Sequence, residues 1–405
     1  MKVLLKIAKF VLFPVTIVAG LFLVMICWFY ISCPVYSFDE PKPFYGEIFY
    51  NPYQAIKDDA WKKCIFHLHT KSWLGLTNGD NNYEEIIDAY KKFNYDVIAI
   101  SDYMKINQNK SNTLPYIPVY EHGYNVKKVH QLALGAKKVV WRDYFFSQNL
   151  NQKQHLIDIL KKHSRLVAVN HPSMRNSYLP KDFKYLSGYD LFEVLNGTHI
   201  SEIAWDAALS SGRPAWLIAN DDAHSIQPKR LQREVTFVND ESNDVLNNLS
   251  KGVAFGVHFP RNEQTSMTQK MNEANVVSFP ENINIQCDTL NIIWQQTMKK
   301  IEFIGDNGRL LKTIFDNNVA FYIIQPEDSY VRIKLTSHDG LVYFLNPVVR
   351  NEHNKPVMQT VSRIDTFKTF WKRTIISTIA SVFLLILAIH YFHLKKLKIW
   401  CRRNK

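Results

Sequence analysis

Acidic side chains are missing from both ends of this chain, and cysteine, glycine and proline are scarce along all of it. Five cysteines in 405 residues exclude a disulfide framework. Cys27 and Cys33 lie in and just beyond an apolar run, Cys401 lies in a basic tail, and only Cys64 and Cys287 fall between, more than two hundred residues apart. A Cys64–Cys287 disulfide and a buried free thiol at Cys64 both remain open. Fourteen glycines and sixteen prolines exclude a collagenous or low-complexity chain. With 46% hydrophobic residues the chain can bury a substantial core, and its length suggests two or three domains. The net charge of +12 sits entirely at the ends, +3 over residues 1–36 and +9 over residues 367–405, where there is no acid. The middle is neutral, which removes the electrostatic reason to expect nucleic acid as a partner.

Both basic ends flank membrane-length apolar segments. No charge occurs from Phe10 to Phe38, and Trp28, Phe29 and Tyr30 form an aromatic belt at the far end of that run. A second stretch, Thr374 to Leu394, is followed by six basic residues. Each is long enough for a hydrocarbon layer of roughly 30 Å. The flanking lysines and arginines predict a two-pass membrane protein with both termini cytoplasmic and its middle on the extracytoplasmic side. A cleaved signal peptide or a lipoprotein-type Cys33 competes for the first segment, and a buried core helix for the second.

Between the spans, short apolar runs alternate with helical patterns. CIFHLH (64–69) precedes YEEIIDAYKKF (83–93) and DVIAIS (96–101); QKQHLIDILKKH (152–163) precedes LVAVN (166–170); YDLFEVLN (189–196) precedes SEIAWDAALSSG (201–212) and AWLIAN (215–220). This alternation predicts parallel strands with covering helices, of which a (β/α) barrel is the closed form. From about residue 281, alternating runs broken by DNG and HDG turns predict a small antiparallel β-sandwich. The expected organisation is an N-terminal anchor (1–36), a linker (37–59), an α/β barrel (60–265), the sandwich (266–352), a linker (353–373), a transmembrane helix (374–394) and a basic cytoplasmic tail (395–405).

Polar residues collect at one place in each unit, the carboxyl end of the strand. They are His67 and His69, Asp102, His171, Glu193, and Asp222 with His224. In barrels that rim is where catalytic groups gather. In a strand, positions i and i+2 share a face, so His67 and His69 can grip one ion. An isolated HxH also describes two half-buried histidines bonded to backbone groups.

The run FHLHT, followed by NGDNNYEEIIDAYKKFNYDVIAISDY, VYEHG, HQLALG, NHPS, FEVLNG and NDDAHS, resembles in order the motifs of the PHP (polymerase and histidinol phosphatase) superfamily over roughly residues 60–260. The resemblance implies a distorted (β/α)7 TIM-like barrel with two or three metals at its rim. It makes His67, His69, Glu121, His130, His171, Asp222 and His224 ligands for manganese, zinc or iron, a donor set that suits such ions. Glu121 would bridge two ions, one held also by His67, His69 and Asp222, the other by His130 and His171. His130 in VHQLALG also reads as an ordinary core residue. Three departures stand out: Asp102-Tyr103 replaces the family's Asp-His, Asn78-Gly79 its Asp-Gly, and Ile65 a frequent acid. These predict two ions, with a third site weak or rebuilt around Asp80 and Tyr103. Glu193 and Asp221 are expected beside the ligands.

The reaction so implied is hydrolysis of a phosphate ester, small or envelope-derived, by a metal-bridging hydroxide. Asp102 is a candidate for proton transfer, and Arg175, Lys229 and Arg230 are candidates to clamp the phosphate. Hydrolysis of another ester, carbamate or amide is the alternative, and a decayed binding or sensing module a second one.

Overall fold

The computed structural model describes residues 2–197, 199–260, 266–274, 276–352 and 361–403. It divides into two units. One is made of residues 1–37 and 363–405 and contains the helices Lys2–Ser32 and Thr366–Arg403. Their apolar stretches Pro14–Ser32 and Thr366–His390, of 19 and 25 residues, are each long and apolar enough to cross a membrane. The last carbonyls of a helix lack intrahelical donors. Here Lys372 Nζ donates to Cys33 O at 2.9 Å and to Tyr30 O at 3.3 Å, and Arg373 Nη2 to Ser32 O at 2.6 Å. Tyr36–Ser37 pairs antiparallel with Arg363–Ile364. The expected linker 353–373 therefore ends early, because Asp365 accepts the Lys368 N–H at 2.8 Å and starts the second helix at Thr366. That helix also runs through the expected tail to Arg403. Residues 353–360 of the linker, and 261–265 at the end of the expected barrel, lie outside the described residues.

The second unit, residues 38–362, is mixed α/β. After the short strand Ile48–Tyr50, and leaving His199–Ile200 unnumbered, its strands run β1 (Trp61–Ile65), β2 (Val97–Ile98), β3 (Val119–His122), β4 (Gln131–Leu134), β5 (Leu166–Val169), β6 (Leu191–Asn196), β7 (Trp216–Asn220), β8 (Glu234–Asn239) and β9 (Ala254–His258). Then come β10 (Pro280–Gln286), β11 (Thr289–Gly305), β12 (Arg309–Ile323), β13 (Tyr330–Thr336), β14 (Val342–Leu345) and β15 (Val348–Asn351). Helices Tyr83–Lys91 and Leu150–Lys161 open on reciprocal caps: Asn82 with Glu85, and Asn149 with Gln152. They bury Ile86, Ile87 and Tyr90, and Leu156, Ile157 and Leu160, each burial stabilising by roughly 1.5–3 kcal/mol.

Among the described residues the expected (β/α)7 barrel does not close. Strands β7-β6-β5-β4-β3 form one sheet, completed by His199–Ile200 beside β6, while β1 and β2 belong to another in the order β10-β11-β13-β14-β9-β8-β1-β2. Among the described strands β1 to β9, β5/β6, β6/β7 and β1/β2 pair in parallel, and β3/β4, β4/β5, β8/β1 and β8/β9 are antiparallel. Between the sheets stand two isolated bridges, Leu68 with Ala223 and Tyr103 with Glu121. The pairing between the sheets is limited to single bridges, and β2 beside them is only two residues long. Both sheets still share one apolar core, lined by Phe66, Val97, Val119, Leu132, Leu166, Leu191, Ile218 and Val238.

The antiparallel strands continue the second sheet rather than standing apart as a sandwich, since β14 pairs with β9 at Phe255 and Leu345. Strands β11 and β12 are 17 and 15 residues long and run through the polar interruptions QQT and DNN, with a register shift between Ile293 and Met298. Cys64 is a fully buried free thiol and Cys287 an exposed one.

Candidate metal centre

Strand β1 ends its ladder at Ile65, yet the chain stays extended through His69. Phe66 N donates to Asn220 Oδ1 at 2.8 Å, and Leu68 bridges to Ala223 with its side chain fully buried. Alternation then turns His67 and His69 to the opposite face. Glu121 comes from β3, His130 from the residue before β4, His171 from just past β5, Glu193 from β6, and Asp222 and His224 from just past β7. His171 and Asp222 adopt left-handed backbone, with φ of 26° and 49°. Such strain costs about 1–3 kcal/mol per residue and is kept where the surroundings enforce it. His171 N donates to Glu193 Oε2 at 2.9 Å. Beside Asp222, Asp221 accepts from Tyr90 Oη (2.7 Å) and from the backbone N–H groups of Gln232, Arg233 and Glu234 (2.8, 2.7 and 3.0 Å).

The donor atoms converge. His67 Nε2 lies 3.3 Å from Glu121 Oε1 and 3.2 Å from Asp222 Oδ1, and His69 Nε2 lies 3.3 Å from Glu121 Oε2 and 3.2 Å from Asp222 Oδ1. Glu121 Oε1 is also 2.8 Å from His130 Nδ1 and 3.1 Å from His171 Nε2. Two overlapping groups, His67 with His69 and Asp222, and His67 with Glu121 and His171, each bring their ligand atoms within 4.8 Å of one another. His130 borders the second group. Four of the atoms, His67 Nε2, His69 Nε2, Glu121 Oε2 and Asp222 Oδ1, are buried without a hydrogen-bond partner. An unsatisfied buried polar atom costs about 1–3 kcal/mol, so four aimed at one point fit a cation.

Electrostatics agrees with that reading. Burial works to raise Glu121 and Asp222, but the surrounding imidazoles hold both well below the usual carboxylate range. Burial works to lower His67, His69 and His171, and the carboxylates outweigh it, so all three are raised. His224 is lowered to about 4 by burial and by His69 beside it. His69 stacks against both Tyr103 and His224, each ring 4.4 Å away, and those two rings are 6.2 Å from each other.

The remaining predicted residues take other places. Glu193 is fully buried and holds His67 Nδ1 at 2.9 Å, together with Asn220 Nδ2 (2.9 Å) and Asn196 Nδ2 (3.1 Å). Asp102 is not directed at the ligands: its carboxylate accepts from Thr70 N (2.7 Å), Thr70 Oγ1 (2.7 Å) and Asn107 Nδ2 (3.1 Å), which anchors the loop after His69. His224 reaches Asp222 Oδ1 only at 3.5 Å. Asn78 and Asp80 are exposed, so among the described residues no third group of ligands forms. Tyr103 fills the position beside His69 with its ring, and burial keeps its hydroxyl protonated. Arg175 is exposed and donates to Val126 O at 3.4 Å; Lys229 and Arg230 are exposed on their own turn. Sequence reasoning missed Lys128, whose Nζ lies 5.2 Å above the Tyr103 ring. The signal was the pair of lysines two and three residues before His130. It also missed Asn170, which donates to Glu121 Oε1 at 3.1 Å.

Fold and site together define a mixed α/β chain with a buried imidazole and carboxylate cluster suited to divalent cations. No known protein family matches the chain, and no curated protein does. Among solved structures it is similar to a two-domain protein from Bacteroides vulgatus ATCC 8482 described as containing a predicted PHP-like metal-dependent phosphoesterase. The two are 14% identical, the match covers 81% of this chain and 100% of that one, and the TM-score is 0.39.

Proposed function

We propose that this protein is a membrane-anchored, metal-dependent phosphoesterase, with both chain ends cytoplasmic and residues 38–362 on the extracytoplasmic side. The observation that carries the reading is the convergence of unpartnered donor atoms from His67, His69, Glu121 and Asp222. His67, His69 and Asp222 would hold one ion, and Glu121, His171 and His130 a second. Bound divalent ions supply Lewis acidity there, making water acidic enough to attack at neutral pH and offsetting charge on a phosphoryl group.

The chain's own residues prepare that site. Glu193 has only acceptor atoms to offer, so His67 carries its proton on Nδ1 and leaves the Nε2 lone pair free for a cation. Thr70, gripped by Asp102, fixes the turn that follows His69. Lys128 brings positive charge to the ring that walls His69 and suits an approaching phosphate. The substrate is a small or envelope-derived phosphate ester, and lipid meets the chain through its two apolar helices.

The test uses the full-length chain in lipid nanodiscs with manganese, zinc or iron supplied. Two bound ions per chain, and turnover of an aryl phosphate far above that of an aryl acetate, are expected. His67→Ala and Asp222→Ala should lose metal and turnover together. A chain that holds no metal, or that cleaves only the acetate, sinks the proposal.

A further inference from the structure

The wall of the metal centre continues outward into an apolar corner that the reaction itself does not explain. Trp73 Nε1 donates to the backbone carbonyl of Tyr103 at 2.8 Å, so the indole is pinned directly to the residue stacked on His69. Trp141 meets Trp73 edge-on, with ring centroids 5.9 Å apart. Neither ring is covered: Trp73 is 40% and Trp141 57% exposed. The same loop holds Leu74 and Leu76 in solvent, 105% and 89% exposed. Trp73 and Leu74 reach those positions through left-handed backbone, φ 52° and 55°, a conformation that bulky residues avoid. A soluble surface gains nothing by holding a tryptophan and two leucines out on a partly strained loop beside a second exposed tryptophan; such a patch marks a place that something apolar covers.

What covers it is indicated by its neighbours. Lys128 Nζ lies 5.2 Å over the ring of Tyr103, the same ring that stacks on His69. Apolar corner, ammonium and a metal donor thus all meet at one residue, Tyr103, the indole at its carbonyl and Lys128 and His69 at its ring. We infer that the substrate is an amphiphilic phosphate ester whose hydrocarbon group lies against Trp73 and Trp141 while Lys128 steers its phosphate to the metal centre. The inference rests on the phosphoesterase reading and adds the class of alcohol that is released. The balance is that of hydrolysis: water's oxygen bonds to phosphorus, the bond from phosphorus to the alkyl oxygen breaks, and the alcohol leaves with a proton.

Full-length chain in nanodiscs, loaded with manganese, is assayed on octyl phosphate and ethyl phosphate, both dispersed, and on phosphatidic acid placed in the disc bilayer. The six added methylenes should raise kcat/KM at least about tenfold, the effect of burying two of them. Trp141→Ala should bring the octyl to ethyl ratio close to one, and Trp141→Phe should restore most of it. Turnover of phosphatidic acid with the same Trp141 dependence assigns the source to a lipid surface, and turnover of octyl phosphate alone assigns it to a dispersed amphiphile; either supports the subsite. Equal rates on octyl and ethyl phosphate in the parent chain overturn it. If no phosphate ester turns over, the phosphoesterase reading fails. Binding of octylphosphonate against ethylphosphonate, read by tryptophan fluorescence, then still judges the corner, and equal affinities reject it.

Discussion

Changing Glu193 to glutamine alters one oxygen and one charge at a place where the surrounding donors leave no freedom. Oε1 accepts from His67 Nδ1 and Asn220 Nδ2, both at 2.9 Å, and Oε2 from His171 N at 2.9 Å and Asn196 Nδ2 at 3.1 Å. All four partners donate, and the side chain is fully buried. A glutamine must turn its amino group toward one pair or the other, leaving two buried donors unpaired in either orientation. At about 1–3 kcal/mol for each, the fold loses roughly 2–6 kcal/mol. His67 can avoid its share only by moving its proton to Nε2. That is the atom facing Glu121 and Asp222, so the escape removes a metal ligand. Both routes weaken metal binding, by roughly 10–100-fold on the precedent of such supporting carboxylates. The assay is manganese affinity by competition with a fluorescent chelator, alongside thermal unfolding. A Glu193→Gln chain that binds manganese as tightly as the parent and melts at the same temperature refutes the argument that Glu193 sets the His67 tautomer.

Metal affinity should rise steeply with pH, because His67, His69 and His171 are raised above their ordinary value of 6.5 and must lose protons to bind an ion. Calorimetry in buffers of different ionisation enthalpy should register the released protons, and a pH-independent affinity contradicts the prediction. In the metal-free fold the histidine contribution has the opposite dependence: stability from those histidines is full below their unfolded pKa and is lost as pH rises through the folded one. Stability from the depressed Asp222 and Glu121 is present above their unfolded pKa and is lost as pH falls through the folded values. Gly79→Ala places a Cβ 2.1 Å from Thr70 O, so the loop that follows His69 must shift. A cost of about 1–3 kcal/mol is expected, read as a fall of roughly 2–4 °C in Tm per kcal/mol, with weaker manganese binding; an unchanged melt and affinity count against the close approach.

The division between what could be read and what could not follows from range. Local rules placed helices over 83–93 and 152–163, close to the observed Tyr83–Lys91 and Leu150–Lys161, since helical periodicity acts within a few residues. They also turned His67 and His69 to one side, because strand alternation needs no partner, and marked two membrane-length helices, because hydropathy sums along the chain. The carboxyl-end position of His171 and Asp222 was equally legible, since each follows an apolar strand, whereas Glu193, read as another strand end, lies third of the six residues of β6.

Only the tertiary structure decided how those ends meet. It left the two sheets joined by single bridges where a closed ladder was expected, and it carried β10–β14 onto the sheet that holds β1. It gave Asp102 to Thr70, set Glu193 behind His67, and brought Lys128, Trp73 and Trp141 around Tyr103. The chain specifies which groups can bond, but a side chain's partner 25 to 126 residues away depends on register and on loop paths, which are fixed only when burial of the shared core selects one packing among many.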